Sequence, residues 1–360
     1  MSRIRLPRLI RVQAGRLTES DIEPWKRVLG HVRVLDDIRS LSPILSALDQ
    51  SILLTPSLQS LTVRGPWFLR ELTPLLSPRL ERVQLIFRDP PQQDDIEFLS
   101  LRLPPALLAL ELRVFSPISH GSIHPLKTTL TALSLANMDA EMLAYLASFP
   151  RLQSLCVQDF TGERIPFSSE KMPFSNLVSF SLRRASAAAI IALGPLFSCA
   201  PLECYEVALD EHHLPSFLAQ AIENIQPQTL RSFEAIGARV HSPAALLAIG
   251  KLYALQRLSI SGGSDLGWIT PNIVRRLVDS LPSLRHLQIT HSHPASLSAC
   301  PLDVLYHIAL HRPMLSSLSI PLSTDHVPEP PEPTSAKLQS LSLGFAKFPG
   351  ERDAIRLAIF

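Results

Sequence analysis

Four cysteines and four asparagines are all that this chain of 360 residues contains of either type. No two cysteines form a Cys-x-x-Cys pair, so the disulfide framework of a small secreted protein is not expected. No asparagine is followed by x-Ser or x-Thr, which leaves no N-glycosylation site. Both absences count against an extracellular recognition receptor and favour a protein with reduced thiols.

Long apolar runs and runs of one charge are also missing. The longest apolar run, around residues 187–193, is too short to cross a bilayer, and residues 1–15 lack the apolar segment of a signal peptide. The net charge is +2, and no run of Lys or Arg is long enough to bind nucleic acid or an anionic membrane. We therefore expect an intracellular protein, cytoplasmic or nuclear, without nucleic-acid or membrane partners.

What the sequence contains in abundance is leucine at regular intervals. The pattern L-x-x-L-x-L, with other apolar residues allowed at its later positions, occurs twelve times, and a weaker copy begins at Val32. Successive copies start 22 to 31 residues apart, close to the period of leucine-rich repeats. The twelve copies begin at Leu58, Leu80, Leu107, Leu130, Leu152, Leu177, Leu202, Leu230, Leu255, Leu284, Leu315 and Leu338.

Strand alternation explains this pattern. The fourth and sixth residues of each copy point into the core, and the third, fifth and seventh point to the opposite face. One such strand cannot bury its apolar face alone, so equivalent strands stack into a parallel sheet while the rest of each repeat returns on the other side. The predicted fold is an irregular α/β leucine-rich-repeat solenoid, or horseshoe, with the sheet on its concave face and helices and loops on its convex face.

The repeats predict the organisation of the whole chain. We expect residues 1–31 to form a helical lead-in and residues 32–360 to form about 13 repeats. The last ten residues, 351–360, read as an amphipathic helix that ends on an apolar residue. Because a terminal repeat needs a polar cap, we expect the solenoid to be truncated at this end.

The segments between the strands predict helices on the return path. Residues 66–76, 139–149 and 271–281 have helical apolar spacing and begin with proline or aspartate. Residues 326–335 are rich in proline and predict an extended loop instead. The column after each strand, which usually carries asparagine, carries none here, so the turn amides need backbone, water or other side chains as partners.

The repeat style resembles that of fungal, especially basidiomycete, F-box-type proteins. The segment just after the F-box in that family has a helix and a V-R-x-L strand, and this chain matches it at Leu17, Thr18, Asp21, Trp25, Val32, Arg33 and Leu35. Ile22 stands where the family has an aromatic residue, and Leu6-Pro7 is followed by Arg8 rather than an acidic residue. No room remains for an F-box before the repeats. The resemblance therefore implies the substrate-selecting part of a ubiquitin-ligase receptor, with a cullin-ligase adaptor as a partner only if an F-box lies upstream.

Groups that could carry catalysis are sparse. Histidines are adjacent at 212–213 and close at 291–293, but neither pair has a third metal ligand nearby in the sequence, so solvated loop histidines are the favoured interpretation. Cys199 and Cys204 lack a basic neighbour that would activate a thiol, and small packing residues are the favoured interpretation for them. The glycines at 262–263 are not followed by the Lys-Ser/Thr of a phosphate loop. We expect no enzyme activity, no cofactor and no metal.

The outward-facing strand positions are the candidate binding surface. The central position of the template forms a column that includes Thr62, Gln84, Glu111, Ser134 and Cys156. Serine prevails in this column, arginine is frequent beside it near the N-terminal repeats, and arginine is a favoured anchor in protein interfaces. Solvated sheet positions are the simpler interpretation of any one residue. The candidate protein-binding residues are Arg64, Arg82, Gln84, Glu111, Arg113, Gln158, Arg183, Glu206, Glu234, Arg257, His286 and Gln288.

Two functions follow from these observations. The first is a protein-interaction module similar to the substrate-recognition domain of F-box receptors, which holds its protein partner on the concave face. The second is a free-standing scaffold or regulatory protein without a ligase link. As a specific hypothesis, a partner with acidic groups docks across Arg64, Arg82 and Arg113.

Overall fold

The structure is a computed structural model of the full chain. The chain forms two compact units, Met1–Gln158 and Asp159–Phe360, which we call unit 1 and unit 2. The structure describes residues 19–36, 45, 48, 52–65, 69–89, 92–105, 107–115, 118–162, 174–209, 217–237, 243–261, 270–290, 301, 303–320 and 338–342.

Every predicted strand segment forms a β-strand, and every described strand pairing is parallel. In each unit the strands follow one another in the sheet in the order in which they occur in the chain. Strand β6 contains the boundary between the units. Unit 1 contains β1 (Val34–Asp36), β2 (Ser60–Arg64), β3 (Arg82–Phe87), β4 (Ala109–Val114), β5 (Ala132–Met138) and most of β6 (Ser154–Phe160). Unit 2 contains β7 (Ser179–Ala185), β8 (Cys204–Leu209), β9 (Ser232–Ile236), β10 (Arg257–Ser261), β11 (His286–Thr290), β12 (Ser317–Ser319) and β13 (Ser340–Ser342). One strand per repeat in a parallel sheet is the arrangement of an α/β leucine-rich-repeat protein.

The predicted core positions are confirmed. From Leu58 to Leu315, the first and fourth residues of every copy of the template are at most 3 % exposed. The sixth position is buried as well, from Val63 to Ile320. Strand β13 departs from the pattern, since Leu338 is 36 % and Leu341 is 37 % exposed. Within the described part of the chain, β13 is the edge of the sheet and has a paired neighbour on one side only.

Helices fill most of the described return segments. The helix predicted over residues 139–149 is present over the shorter range Ala140–Leu146. The Asp139 carboxylate caps its first turn by accepting a hydrogen bond from Met142 N–H at 2.7 Å. The α-helices are α1 (Glu19–Leu29), α2 (Gln93–Arg102), α3 (His120–Ile123), α4 (Ala140–Leu146), α5 (Ala187–Leu193), α6 (Phe217–Glu223), α7 (Pro243–Ile249), α8 (Pro271–Ser280) and α9 (Asp303–His311).

The other two predicted helices differ in their outcome. The prediction for residues 271–281 is confirmed by α8, which begins at Pro271, where the missing N–H costs nothing. In the segment 66–76, the described part is a 3-10 helix, Leu69–Leu75, rather than an α-helix. Pro74 lies inside it and cannot donate the backbone hydrogen bond that an α-helix needs there.

Backbone groups replace the missing asparagine column in two described turns. After β2, Gly65 N–H donates to the Ile86 carbonyl at 3.0 Å, and after β4, Phe115 N–H donates to the Phe87 carbonyl at 3.1 Å. Each turn amide is therefore satisfied by a carbonyl of the neighbouring strand, which is one of the partners that the sequence predicts.

Aromatic rings enlarge the core of unit 2. The Tyr205 ring lies 5.7 to 6.0 Å, between centroids, from the rings of Phe180, Phe197 and Phe233, and Phe174 extends the group. The Tyr205 hydroxyl is buried without a hydrogen-bond partner, and burial raises the pKa of this phenol. An unpaired buried hydroxyl is costly, so Tyr205 occupies a position that phenylalanine would suit better.

An arginine joins α8 to the end of α9 in unit 2. Arg312 donates from Nε to the Val278 carbonyl at 2.8 Å and from a terminal nitrogen to the Asp279 carbonyl at 2.7 Å. Its other terminal nitrogen donates to the His311 carbonyl at 2.6 Å. The guanidinium thus adds donors for carbonyls at the C-terminal ends of both helices, where backbone donors become scarce.

Several sequence predictions lie outside the described residues. These are the proline-rich loop 326–335, the C-terminal segment 351–360, the histidines at 212–213 and 291–293, and the glycines at 262–263. The division into a lead-in and a repeat region stays a prediction.

Candidate functional site

The candidate site is the face of the sheet that the template's third, fifth and seventh residues share. All twelve candidate residues lie on strands, and none of them is buried. The half-buried ones are Gln84, Glu111, Gln158, Glu206 and Glu234, and the exposed ones are Arg64, Arg82, Arg113, Arg183, Arg257, His286 and Gln288.

Three arginines come together in unit 1. The strand registers place Arg64 of β2 opposite Ile86 of β3, and Ile86 opposite Arg113 of β4. Arg64 and Arg113 therefore flank a half-buried isoleucine in one row, roughly 10 Å apart as two strand spacings require. Arg82 projects from the same face of β3, four residues before Ile86. Two exposed arginines thus flank an apolar residue on neighbouring strands, and a third lies roughly 13 Å along β3 on the same face.

Acidic and polar groups on the same face moderate this basic surface. Glu111 lies opposite Gln84 and accepts a hydrogen bond from the Gln84 side-chain amide. The same carboxylate lies 3.5 Å from an Arg113 terminal nitrogen, although both side chains are more than a third exposed. Water screens such an exposed ion pair strongly, so the pair orients the Arg113 side chain but does not cancel its positive charge. Asp36 of β1 adds a second carboxylate opposite Thr62.

The register of unit 1 changes between β4 and β5, where the structure departs from the sequence-based column. Glu111 is paired with Ala132, and Ser134, which the template aligns with Glu111, is paired with Arg113. The other described registers of unit 1 follow the template, as Thr62–Gln84 and Gln84–Glu111 show. The two strands are thus shifted by two residues relative to the repeat pattern.

Thr131 and Arg151 supply the hydrogen bonds that accompany this shift. The buried Thr131 hydroxyl accepts from Leu110 N–H at 3.0 Å, and Thr131 N–H donates to the Leu110 carbonyl at 3.2 Å. Thr131, Leu108 and Glu81 are each the second residue of their copy of the template. One repeat earlier, in the unshifted register, Leu108 N–H donates to the Glu81 carbonyl. In the shifted register, Thr131 N–H donates to the Leu110 carbonyl, and the Leu108 carbonyl does not receive it. A terminal nitrogen of Arg151 donates to the Leu108 carbonyl instead and also to the Leu107 carbonyl, each at 3.4 Å.

The central column of unit 2 follows the template. Its row contains Ser181, Glu206, Glu234, Ser259 and Gln288, each paired with the next. Glu206 and Glu234 lie opposite each other on adjacent strands, so the middle of the row is acidic. Like charges placed directly opposite each other also repel.

Polar neighbours surround one of these two carboxylates. Glu206 accepts from the Ser181 hydroxyl at 2.9 Å and lies 3.9 Å from Arg183 Nε. Between β10 and β11, Arg257 lies opposite His286. Unit 2 therefore has mixed charge, whereas the arginines dominate the face of unit 1.

Cys204 has the opposite character of an activated thiol. Partial burial, and then the negative charge of neighbouring Glu203, raise the pKa of Cys204. A raised pKa lowers the thiolate fraction, and the thiolate is the nucleophilic form. Cys156, Cys199 and Cys204 are free thiols. In the described part of the chain, no helix is long and apolar enough to cross a membrane.

One group of possible metal ligands was not found from the sequence. Asp279 on α8 and His307 and His311 on α9 lie together in unit 2, on helices rather than on the sheet. The signal was present, because two histidines four residues apart share one face of a helix. Their spacing differs from that of the histidines at 212–213 and 291–293, which are adjacent or separated by one residue.

Comparisons with known proteins give similarity at the level of fold. No family model matches the chain. No curated protein matches it in sequence. Among solved structures it is similar to an internalin from Listeria monocytogenes, with 15% identity over 85% of this chain and 79% of that chain and a TM-score of 0.45.

A second similar structure is the leucine-rich-repeat ectodomain of the plant membrane receptor kinase GASSHO1/SCHENGEN3 from Arabidopsis thaliana, in complex with Casparian strip integrity factor 2. Here the identity is 14% over 88% of this chain and 43% of that chain, with a TM-score of 0.35. This chain thus spans less than half of that ectodomain. Its own strands, registers and buried leucines establish an α/β leucine-rich-repeat fold.

Proposed function

We propose that this chain is a protein-interaction module and that the sheet face of unit 1 holds a partner with acidic groups. The observation that carries the proposal is that exposed Arg64 and Arg113 flank half-buried Ile86, with exposed Arg82 on the same face of the same three strands. Guanidiniums bind carboxylates through two parallel hydrogen bonds, and an apolar centre adds contact area that excludes water.

Catalysis has no comparable support among the described residues. A nucleophile needs a base within hydrogen-bond distance, or a lowered pKa, whereas the pKa of Cys204 is raised. The polar groups of the sheet face instead pair with one another across strands, as Gln84 does with Glu111. A polar, arginine-rich surface whose side chains are partly held by hydrogen bonds to one another suits recognition of another protein.

Charge reversal tests the docking surface directly. The full chain and the variant R64E/R82E/R113E would be immobilised, and the proteins that each retains from a lysate of the source organism would be quantified by mass spectrometry. A matched control, R27E/R79E/R276E, makes the same change of charge at exposed arginines that lie outside the sheet. We expect specific proteins to be lost from the first variant and kept by the control. Equal recovery by all three chains would contradict the proposal.

The more specific proposal is that this module selects substrates for a ubiquitin ligase, as the resemblance to F-box receptors suggests. A free-standing scaffold is the second candidate. If the coding sequence upstream contains an F-box, the complete protein should bring adaptor and cullin subunits into the purified complex. If those subunits are missing while the acidic partner is retained, the chain acts as a scaffold.

A further inference from the structure

Two histidines and an aspartate meet on the helical side of unit 2. Asp279 lies in the last turn of α8, and His307 and His311 lie one turn apart on α9. One potential ligand atom from each residue lies within 4.8 Å of the others. The closest pair is His307 Nε2 and Asp279 Oδ1, at 2.9 Å. His307 is half-buried and the other two side chains are exposed, so the cluster is open to solvent.

The hydrogen bonds of His311 leave one ring nitrogen available. Its Nδ1 lies 2.9 Å from the His307 backbone carbonyl, which can only accept, so Nδ1 carries the hydrogen. In the neutral ring, Nε2 then has a free lone pair. Metal-binding histidines commonly donate their second ring nitrogen to a backbone carbonyl, which fixes the orientation of the ring.

The two helix ends that carry the cluster are held together. Arg312 donates to the carbonyls of both Asp279 and His311, at 2.7 and 2.6 Å. A second link, the ion pair of Arg275 and Asp303 at 2.9 Å, joins the same two helices. The backbone positions of the three side chains are therefore set before any ligand binds, which lowers the entropy lost on binding.

A simple ion pair accounts for only part of this arrangement. It explains the contact of His307 with Asp279, but it leaves His311 stacked on His307, with ring centroids 4.0 Å apart and planes inclined by 23°. A bound divalent ion would use both rings in their neutral form together with the carboxylate.

We propose that Asp279, His307 and His311 form a binding site for a divalent transition-metal ion, with zinc as the fitting ion. Zinc accepts imidazole nitrogen and carboxylate oxygen in tetrahedral geometry, and water would complete the fourth position. Zinc–ligand distances near 2.0 Å require ligand atoms roughly 3.4 Å apart. The pair His307 Nε2 and Asp279 Oδ1, now 2.9 Å apart, therefore opens by roughly 0.5 Å, and the wider separations, which are at most 4.8 Å, close by up to roughly 1.4 Å. On binding, zinc takes the place of the hydrogen on His307 Nε2, and the neutral ring then carries its one hydrogen on Nδ1, so the step involves no net loss of a proton. The ion then links α8 to α9 as a clip between consecutive repeats.

Titration calorimetry of the full untagged chain with zinc chloride tests this proposal. We expect one site per chain. The variants H311Q and D279N should each weaken binding by more than roughly tenfold. The control H286Q removes an exposed histidine of the sheet and should bind zinc as the unmodified chain does. Unchanged binding by H311Q and D279N would show that scattered histidines hold the zinc, and the proposal would be wrong.

Cobalt offers a second readout that does not depend on heat. If Co²⁺ occupies the cluster, its visible d–d absorption should appear with the unmodified chain and H286Q, and disappear with H311Q. Zinc should also raise the melting temperature of the unmodified chain and leave that of H311Q unchanged, because only the former gains a link between its helices. This site lies on helices of unit 2 and does not depend on the function proposed for the sheet of unit 1.

Discussion

Replacing Tyr205 by phenylalanine should stabilise the protein. The substitution removes a buried hydroxyl that has no hydrogen-bond partner and keeps the ring that packs against Phe180, Phe197 and Phe233. An unsatisfied buried polar group costs about 1–3 kcal/mol. Partial relaxation of the surrounding core reduces that cost, so we expect the free energy of unfolding of Y205F to exceed that of the unmodified chain by about 1–2 kcal/mol.

The pH dependence of this difference follows from the pKa of Tyr205, which burial raises above the value of 10.0 for a free phenol. Below about pH 10 the phenol keeps its proton in both the folded and the unfolded state, and the difference between the two proteins is constant. Above about pH 10 only the unfolded phenol ionises. The unmodified chain then loses about 1.4 kcal/mol of stability per pH unit, and Y205F escapes this loss. The advantage of Y205F should therefore grow between about pH 10 and 11.

Urea denaturation followed by circular dichroism, at several values between neutral pH and pH 11, measures both effects. The remaining tyrosines contribute equally to the two proteins and cancel in the difference. Y253F serves as the control, because Tyr253 is 51 % exposed and loss of its hydroxyl should change stability by less than about 0.5 kcal/mol at neutral pH. If Y205F were destabilised, or if its advantage stayed constant above pH 10, the hydroxyl would have a partner or reach solvent in the folded state.

Two further substitutions test hydrogen bonds that hold neighbouring repeats together. T131V keeps the shape of the side chain but leaves Leu110 N–H without its acceptor. We expect urea denaturation to show a free energy of unfolding that is lower by about 1–2 kcal/mol. An unchanged free energy of unfolding would mean that the hydroxyl does not support the shifted register. R312L removes three hydrogen bonds to helix-end carbonyls and should lower the free energy of unfolding by roughly 2 kcal/mol. R312K should recover only part of this loss, because an ammonium group lacks the planar fork of donors that a guanidinium has. Equal stability of R312L, R312K and the unmodified chain would refute this role for Arg312.

The sequence was sufficient to predict the fold, because the repeat pattern contains strong and redundant information. Each copy of the template requires a strand with two apolar residues on one face, and burial of Leu61 and Val63 shows how closely β2 follows that rule. Helix ends were also readable, since Asp139 and Pro271 have their usual roles at the starts of α4 and α8. Pro74 was a less certain guide, because a proline near the end of a short segment allows a 3-10 helix instead of an α-helix.

The outward placement of the candidate residues was predictable, but their contacts were not. Alternation alone places Arg64, Arg82 and Arg113 on the outward face, and the structure has them there. Alternation says nothing about the partner of each side chain on the next strand. It therefore could not show that Gln84 binds Glu111. Side chains on the return helices were harder still, because the cluster of Asp279 with the histidines of α9 depends on how two helices from different repeats pack.

The shift between β4 and β5 shows why register limits such predictions. A shift by one residue would turn the leucines of β5 to solvent, and the hydrophobic pattern would reveal it. A shift by two residues keeps every side chain on its own face, so the pattern is equally consistent with both registers. The choice falls to polar groups such as Thr131, whose hydroxyl binds the backbone of β4. Its consequence reaches the proposed docking surface, because Arg113 has the small side chain of Ser134 beside it rather than that of Ala136, which the template places there. The row Arg64, Ile86, Arg113 thus continues into a hydroxyl that can also donate to a carboxylate, and an acidic partner would find donors on three of the four strands in this row.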